Sequence, residues 1–248
     1  MDIIIGSEYM GIWGRKIIDY ILYKINYTNI IYKNCNECDL IIISFFFKLE
    51  PIWNKNKKKY IVWSGEPFFP KKINQNITNK LYVGTTHHLD KGNYIYAPYC
   101  LFSNHIYKNR KYENKNRKYF LAYCFSHSTF EREYIFDLFV KKKGIHLCHS
   151  LGKCCGSFKE TKIKKIDGNF MNEDLIDTYK DYKFVLAMEN VCKDGYVTEK
   201  IINAFYSGAI PIYWGSNNIN DFFNPKSFIN VNNFDSLQDC VDYVINMT

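Results

Sequence analysis

The amino-acid sequence predicts an α/β protein of two lobes, each built on a parallel sheet. Three observations carry this. Short apolar strand-like runs alternate with helical or polar segments along the whole chain. One polar, charged stretch without apolar periodicity, Lys108–Lys118 (KNRKYENKNRK), divides it into halves of similar size. The segment Glu189–Gly215, preceded by the apolar run Tyr182–Met188 (YKFVLAM), reads as strand, polar loop, helix, strand, the repeating unit of a parallel sheet. The expected organisation is an N-terminal lobe over 1–107, a linker over 108–118 and a C-terminal lobe over 119–248, with the ligand cleft between the lobes.

In chain order, Asp2–Ile5 ending at Gly6 is a first buried strand. Lys16–Tyr27 places apolar residues at 17, 18, 21, 22 and 25, a helical spacing. Strands follow at Ile30–Lys33, Leu40–Phe47, Tyr60–Trp63, Leu81–Thr85 and Tyr94–Pro98. Beyond the linker come a strand at Tyr119–Phe125, a helix over 129–142 and a strand at Ile145–His149. A Gly- and Cys-rich loop, Gly152–Gly156, leads to a helical turn at Leu175–Tyr179. In the 189–215 unit, Thr198 is the expected N-cap, Glu199 sits where the helix dipole favours negative charge, and Gly208 suits the C-terminal stop. Phe228–Asn230 is a last short strand, and Ser236 starts a final helix ending near Met247.

Composition bounds the function. With 47% hydrophobic residues in 248, the chain has material for a sizeable core, and disorder over most of it is excluded. The net charge of +8 favours anionic partners, although the joint abundance of Ile, Lys, Asn and Tyr fits AT-rich coding equally well. Nine cysteines, an odd number, point to reduced thiols and a cytoplasmic setting, the host cytoplasm if the source is a large virus. No apolar stretch reaches 18 residues, so no membrane span is expected.

Several clusters can carry chemistry, each beside a plainer reading. Asn190, Tyr196, Glu199 and Lys200 surround a helix start, where free N–H groups and a lysine suit a phosphate and a carboxylate suits sugar hydroxyls. The alternative is a solvated helix start with an exposed Glu–Lys pair. Glu66, in the loop WSGEP after a strand, has the surroundings of a general base beside Trp63 and Phe68, or is simply a turn carboxylate before Pro67. Lys153, in LGKCC, reaches a phosphate or the solvent, and Arg132 reaches the same anion or a neighbouring acid on its helix. Cys35 and Cys38 with Cys154 and Cys155 lack the spacing of a regular zinc site. No Asp-x-Asp pair, Walker-type loop, RNP-like motif or helix-turn-helix signature is present.

In that order, these residues resemble the α-1,3/1,4-fucosyltransferase family, glycosyltransferase family 10. YVTEKIINAFYSGAIPIYWG (196–215), with Glu189-Asn190 upstream, is similar to that family's signature almost position for position. IVWSGEP resembles its strand ending in the proposed base. Ser126-His127 with Arg132 resembles a Ser-Asn…Arg segment, and GKCC takes the place of a basic phosphate-contacting residue. The resemblance implies a GT-B-like architecture of two Rossmann-like lobes, with GDP-fucose as donor and a glycan hydroxyl as acceptor. It implies inverting transfer and no required metal cofactor. Glu199 would then hold fucose or ribose and Lys200 the diphosphate. Tyr196, Val197, Thr198 and Asn190 would complete the donor pocket, with Lys153 and Arg132 as further cations. Glu66 would take the acceptor's proton. Acceptor contacts are expected around Trp13, Trp63, His87 and His88. Two departures stand out: His127 replaces the usual Asn, and Lys153 replaces a frequent Arg, which loses bidentate phosphate geometry. The family usually continues beyond the point matched by Thr248. Rival expectations are transfer of another nucleotide-linked deoxysugar, a non-catalytic glycan-binding module, or a basic nucleic-acid-binding module.

Overall fold

The computed structural model describes residues 3–6, 30–33, 38, 40–44, 59–67, 80–86, 94–103, 116–163, 166 and 173–247. The chain forms two compact units, Met1–Phe102 and Ser103–Thr248. The helix expected over 16–27 lies outside the described residues, as does most of the linker. Arg117, inside that expected linker, is built into the C-terminal unit. Its guanidinium donates to the carbonyls of Lys180 (3.0 Å) and Tyr182 (2.9 Å).

The N-terminal unit is a six-stranded sheet, β1 (Ile3–Gly6), β2 (Ile30–Lys33), β3 (Leu40–Ser44), β4 (Lys59–Ser64), β5 (Lys80–Gly84) and β6 (Tyr94–Tyr96). All pairings are parallel, in the order β2-β1-β3-β4-β5-β6. β3 is an unbroken apolar run with Ile41, Ile42 and Ile43 buried, as a central parallel strand covered on both faces requires.

The C-terminal unit holds β7 (Tyr119–Tyr123), β8 (Cys148–Ser150), β9 (Tyr182–Met188), β10 (Ile210–Trp214) and β11 (Ile229–Asn230), parallel in the order β11-β10-β9-β7-β8. Among the described residues, four α-helices, α1 (Phe130–Lys143), α2 (Glu173–Tyr179), α3 (Glu199–Ser207) and α4 (Leu237–Asn246), cover its two faces. Phe184, Leu186 and Met188 pack with Ile135, Phe136 and Phe139 of α1 and with Cys240, Val241 and Val244 of α4. Val185 points the other way, joining Leu175 and Tyr179 of α2 and Ala204 of α3. This is the period-2 alternation of a strand buried on both faces. Each fully buried phenylalanine contributes about 1.5–3 kcal/mol of hydrophobic free energy.

Numbered in chain order within each unit, the strands run 2-1-3-4-5-6 in the N-terminal sheet and 2-1-3-4-5 in the C-terminal one, the order of the doubly wound folds. α3 ends where expected, with Gly208 at φ 75° donating its N–H to Phe205 O at 2.9 Å. α4 begins on Ser236, whose hydroxyl accepts from Asp239 N at 3.1 Å. The strand expected at 145–149 is shorter and later. Residues 145–147 form a turn, with Leu147 N and Cys148 N both returning to Gly144 O, and Gly144 takes a positive φ of 89°.

Candidate functional site

In a doubly wound sheet, ligands bind where strand order reverses, at the carboxyl ends of the strands. In the C-terminal unit that point lies between β7 and β9. The loops leaving these strands, 124–129 and 189–198, run to opposite faces of the sheet, into α1 and α3.

Arg132 bridges the two loops. It is 1% exposed. Its Nη1 donates to His127 O (3.1 Å), and its Nη2 donates to Met188 O (2.7 Å) and Asn190 Oδ1 (2.7 Å). The guanidinium lies 4.1 Å above the Phe125 ring. Nε is buried and meets no acceptor among the described residues. Burial pulls the Arg132 pKa below its ordinary value, and the Glu189 carboxylate resists that shift. Beside its expected reach toward a ligand anion, Arg132 has a place within the protein. In this structure its two terminal nitrogens are spent on protein acceptors, and it ties the loops together.

The second element is the start of α3. Glu189, fully buried at the end of β9, accepts from Thr198 N (2.8 Å) and Thr198 Oγ1 (2.9 Å) through Oε1, and from Lys200 Nζ (3.1 Å) through Oε2. Lys200 Nζ also donates to Thr198 Oγ1 at 2.9 Å and stands 3.7 Å from Glu199 Oε1. Thr198 is the N-cap by position, yet its hydroxyl caps no helix N–H. It turns instead to the stronger acceptor, Glu189. Burial, followed by the charges around it, sets the Lys200 ammonium: desolvation lowers its pKa, but Glu189 and then Glu199 outweigh this and leave it raised. Burial raises Glu199, with Glu189 adding to the shift, while Lys200, Glu199's own backbone N–H and the Thr198 hydroxyl work against it.

The remaining expected donor residues fall around this pair. Asn190 is exposed beside Arg132. Tyr196, Val197 and Thr198 are buried, at 3%, 0% and 2% exposure. Tyr196, which the resemblance places in the donor pocket, is packed among protein groups. Lys153 is exposed in the loop after β8, and its backbone N–H donates to Phe125 O at 2.9 Å. Gly152 permits this approach, since a Cβ there would sit 2.5 Å from Phe125 O. The loops after β9 and β10 are tied by Gly195 N donating to Ser216 Oγ (2.8 Å) and to Asn218 Oδ1 (2.9 Å).

In the N-terminal unit, Glu66 follows β4 in a bend. Its backbone is pinned, with N–H to Ser64 Oγ at 3.2 Å and Thr85 Oγ1 donating to its carbonyl at 3.0 Å. Its side chain is half-buried. Gly65 is set against Tyr99 and Trp63: a Cβ there would meet their rings at 2.9 and 3.2 Å. Trp63 is half-buried with its indole nitrogen buried and unmatched among the described residues. Trp13, His87, His88 and Phe68 lie outside the described residues. No disulfide joins the eight described cysteines, and among the described residues no three His, Cys, Asp or Glu side chains gather as a metal site. No helix among the described residues is long and apolar enough to cross a membrane.

The family model described as "Glycosyltransferase family 10 (fucosyltransferase) C-term" matches residues 110–248, more than half of the chain. The chain belongs to glycosyltransferase family 10. Among relatives of this family 10 chain, a protein of Acanthamoeba polyphaga mimivirus named as a fucosyltransferase is 32% identical over 160 residues, covering 62% of this chain and 26% of the relative. The alpha-(1,3)-fucosyltransferase FucT of Helicobacter pylori is 54% identical over 63 residues, covering 25% of this chain and 13% of the relative. The matches thus span about a quarter or less of these relatives' own lengths. The fold is that of a crystallised alpha1,3-fucosyltransferase with GDP-fucose, with TM-score 0.70, 23% identity, and coverage of 99% of this chain and 78% of that one. A second alpha1,3-fucosyltransferase crystal structure gives a TM-score of 0.72 at 21% identity, covering 100% of this chain and 78% of that one. These neighbours confirm the expected two-lobed, GT-B-like α/β class.

Glu189 is the residue the sequence reading left out of the site. The available signal was a carboxylate placed directly after the apolar run FVLAM, with no cation beside it in sequence.

Proposed function

We propose that this chain transfers L-fucose from GDP-fucose to a glycan hydroxyl with inversion, forming an α-1,3-type linkage. The observation that carries the reading is Lys200 at the start of α3, beside the strand-order reversal of a family 10 sheet. In the transfer, the acceptor hydroxyl gives its proton to the Glu66 carboxylate as its oxygen bonds to the fucose anomeric carbon. The bond from that carbon to the GDP β-phosphate oxygen breaks, and GDP leaves with the electron pair. Lys200 and Lys153 stabilise the charge developing on the diphosphate, so no metal cofactor is needed. Glu199 accepts hydrogen bonds from sugar hydroxyls, and Asn190 lines the same pocket. Tyr196, Val197 and Thr198 act from beneath, by fixing the backbone. Trp63, with Trp13, His87 and His88, forms the acceptor side, on the lobe expected over 1–107. The odd number of cysteines supports a cytoplasmic location.

The test is incubation with GDP-fucose and a panel of N-acetyllactosamine and simple sugar acceptors, with product linkage read by NMR. Fucosylated product lost in Glu66→Gln, by roughly 10²–10⁴-fold in kcat, is the expected result. Binding and turnover of another nucleotide-linked deoxysugar in preference to GDP-fucose would move the donor assignment. GDP-sugar binding without transfer to any acceptor would favour a glycan-binding module. Oligonucleotide binding that collapses with salt, with no response to GDP, would overturn the reading altogether.

A further inference from the structure

We propose that Glu189 is the positioning residue of the donor pocket: seated in a slot that Gly215 leaves open, its buried carboxylate fixes both the start of α3 and the place of the Lys200 ammonium. The inference rests on reading this site as a nucleotide-sugar pocket.

The slot is built for the side chain. The Glu189 N–H donates to Trp214 O at 2.7 Å, which sets its backbone against the end of β10. The next residue along that strand's exit is Gly215. A Cβ there would come within 2.6 Å of Glu189 Cγ, 3.0 Å of Glu189 Cβ and 2.6 Å of the Tyr213 hydroxyl. No side chain other than hydrogen fits at 215 while Glu189 keeps its place. In that slot the carboxylate is 0% exposed. It is therefore not placed to touch a ligand, and it acts through other residues.

Both carboxylate oxygens are in use. Oε1 takes the Thr198 N–H at 2.8 Å, and Oε2 takes Lys200 Nζ at 3.1 Å; the Thr198 hydroxyl lies 2.9 Å from each. Thr198 is the residue before α3, so the direction in which α3 leaves its loop is set by this carboxylate. Lys200, two residues on, is the cation that the proposed reaction needs on the leaving diphosphate. The charged groups facing Lys200 are Glu189 from the end of β9, Glu199 from its own helix and Arg132 from α1. Tyr179 of α2 faces Glu199. Of the two carboxylates, Glu189 is the nearer, at 3.1 Å against 3.7 Å. Burial and Arg132 both work to discharge Lys200, and Glu189 is the larger influence opposing them. Without its charge, Glu199 alone opposes burial and Arg132.

The experiment uses the intact chain with Glu189→Gln, which keeps the shape and one oxygen acceptor but loses the charge. Lysine titration is measured by competitive acetylation with acetic anhydride and peptide-resolved mass spectrometry, without ligand. The Lys200 midpoint should fall by about 1–3 pH units, the usual effect of a close opposite charge, while exposed Lys141 and Lys142 stay put. GDP affinity, measured by calorimetry from pH 6 to 10 (an order-of-magnitude window around lysine titration), should fall with rising pH in Glu189→Gln well before it does in wild type. Adding Lys200→Arg to that variant should remove the fall, because guanidinium stays charged. A purely structural role would weaken binding equally at all pH values, and that result would overturn the proposal. So would an unmoved Lys200 midpoint in folded Glu189→Gln. If that variant does not fold, Gly215→Ala provides the second measurement: the added methyl displaces the carboxylate, and the Lys200 midpoint should again drop; an unmoved midpoint there counts against the proposal in the same way. A shifted midpoint in a protein that does not bind GDP would sink the donor-pocket function while leaving the Glu189–Lys200 coupling standing.

Discussion

Arg132→Ala decides whether this guanidinium is a strut or a ligand-binding group. The side chain makes three hydrogen bonds, to His127 O, Met188 O and Asn190 Oδ1, at 3.1, 2.7 and 2.7 Å. Hydrogen bonds to a charged donor contribute about 1.5–3 kcal/mol each. The ring contact with Phe125 adds about 2 kcal/mol when desolvated. Against this stands the cost of burying a guanidinium, several kcal/mol. Removing one member of such a buried charged network typically destabilises by about 3–5 kcal/mol, and here it leaves the buried Met188 carbonyl unmet, while the acceptors at His127 and Asn190 belong to exposed residues. For a protein of this size that lowers the thermal midpoint by about 6–20 °C. Urea denaturation followed by far-UV circular dichroism measures it, with an unchanged denaturant slope confirming that stability and not compactness has moved. Arg132→Lys should recover part of the loss, since an ammonium reaches fewer of three divergent acceptors. A stability within about 0.5 kcal/mol of wild type would refute the strut, as it is the range expected of an ordinary surface substitution. Paired with a large drop in GDP affinity, it would make Arg132 a phosphate contact instead.

Other perturbations test other parts of the structure. Ser236→Ala removes the acceptor for Asp239 N and should cost about 1 kcal/mol in denaturation experiments, because α4 loses its cap. Gly152→Ala drives a methyl into Phe125 backbone; it should displace Lys153 and weaken GDP binding in calorimetry more than Lys153→Ala alone does. Burial depresses the His149 pKa, against a backbone hydrogen bond from His146 that works to raise it. The unfolded chain therefore takes up a proton near pH 6.5 that the folded chain resists, so stability should be full above that pH and fall below it, and His149→Gln should flatten this acid limb in pH-dependent melting curves. Glu199 is already raised by burial and by Glu189. An arriving diphosphate adds negative charge, so GDP binding should take up protons, measured as a dependence of binding heat on buffer ionisation enthalpy, and should weaken as pH rises.

The fold was legible because its central strands are predominantly apolar and its helix ends are marked. YKFVLAM admits little but a strand buried on both faces, Gly208 ends α3 in a left-handed turn, and Ser236 starts α4 by its own hydroxyl. The short strand β8 of the C-terminal sheet was misread for a physical reason. Ile145 and Leu147 have strand propensity, but Gly144, at a φ of 89°, folds the chain back and accepts the N–H groups of Leu147 and Cys148. Local propensity lost to a turn. Around the candidate site, the nearness of Glu199 and Lys200 was legible; the contacts of Arg132 were not, because its partners at Met188 and Asn190 lie 56 and 58 residues away and meet it only through the sheet. Thr198 was placed correctly and given the wrong partner: a buried carboxylate is a better acceptor for its hydroxyl than a helix N–H is a donor to it.

The carboxylates of this chain sort by how many of their lone pairs the protein already uses, and that ordering supports the division of labour proposed for them. An ionised carboxylate offers about four acceptor positions. Glu133 spends both oxygens, on the Tyr123 hydroxyl and Gly156 N–H, and so fastens the loop after β8 to α1. Glu189 spends both oxygens on Thr198 and Lys200 and has no exposure at all. Neither can accept a proton from an incoming hydroxyl without breaking the contacts that hold it. Glu199 is engaged by Lys200 on one side, with some exposure left for a sugar hydroxyl. Glu66 differs from all three. Its backbone is held by Ser64 and Thr85, so its position is fixed, yet among the described residues no hydrogen bond reaches its carboxylate. A general base needs this combination, a fixed backbone and vacant lone pairs. If Glu66→Gln retained full transfer activity while binding acceptor normally, vacancy would be the wrong criterion and the proton would have to leave by another group.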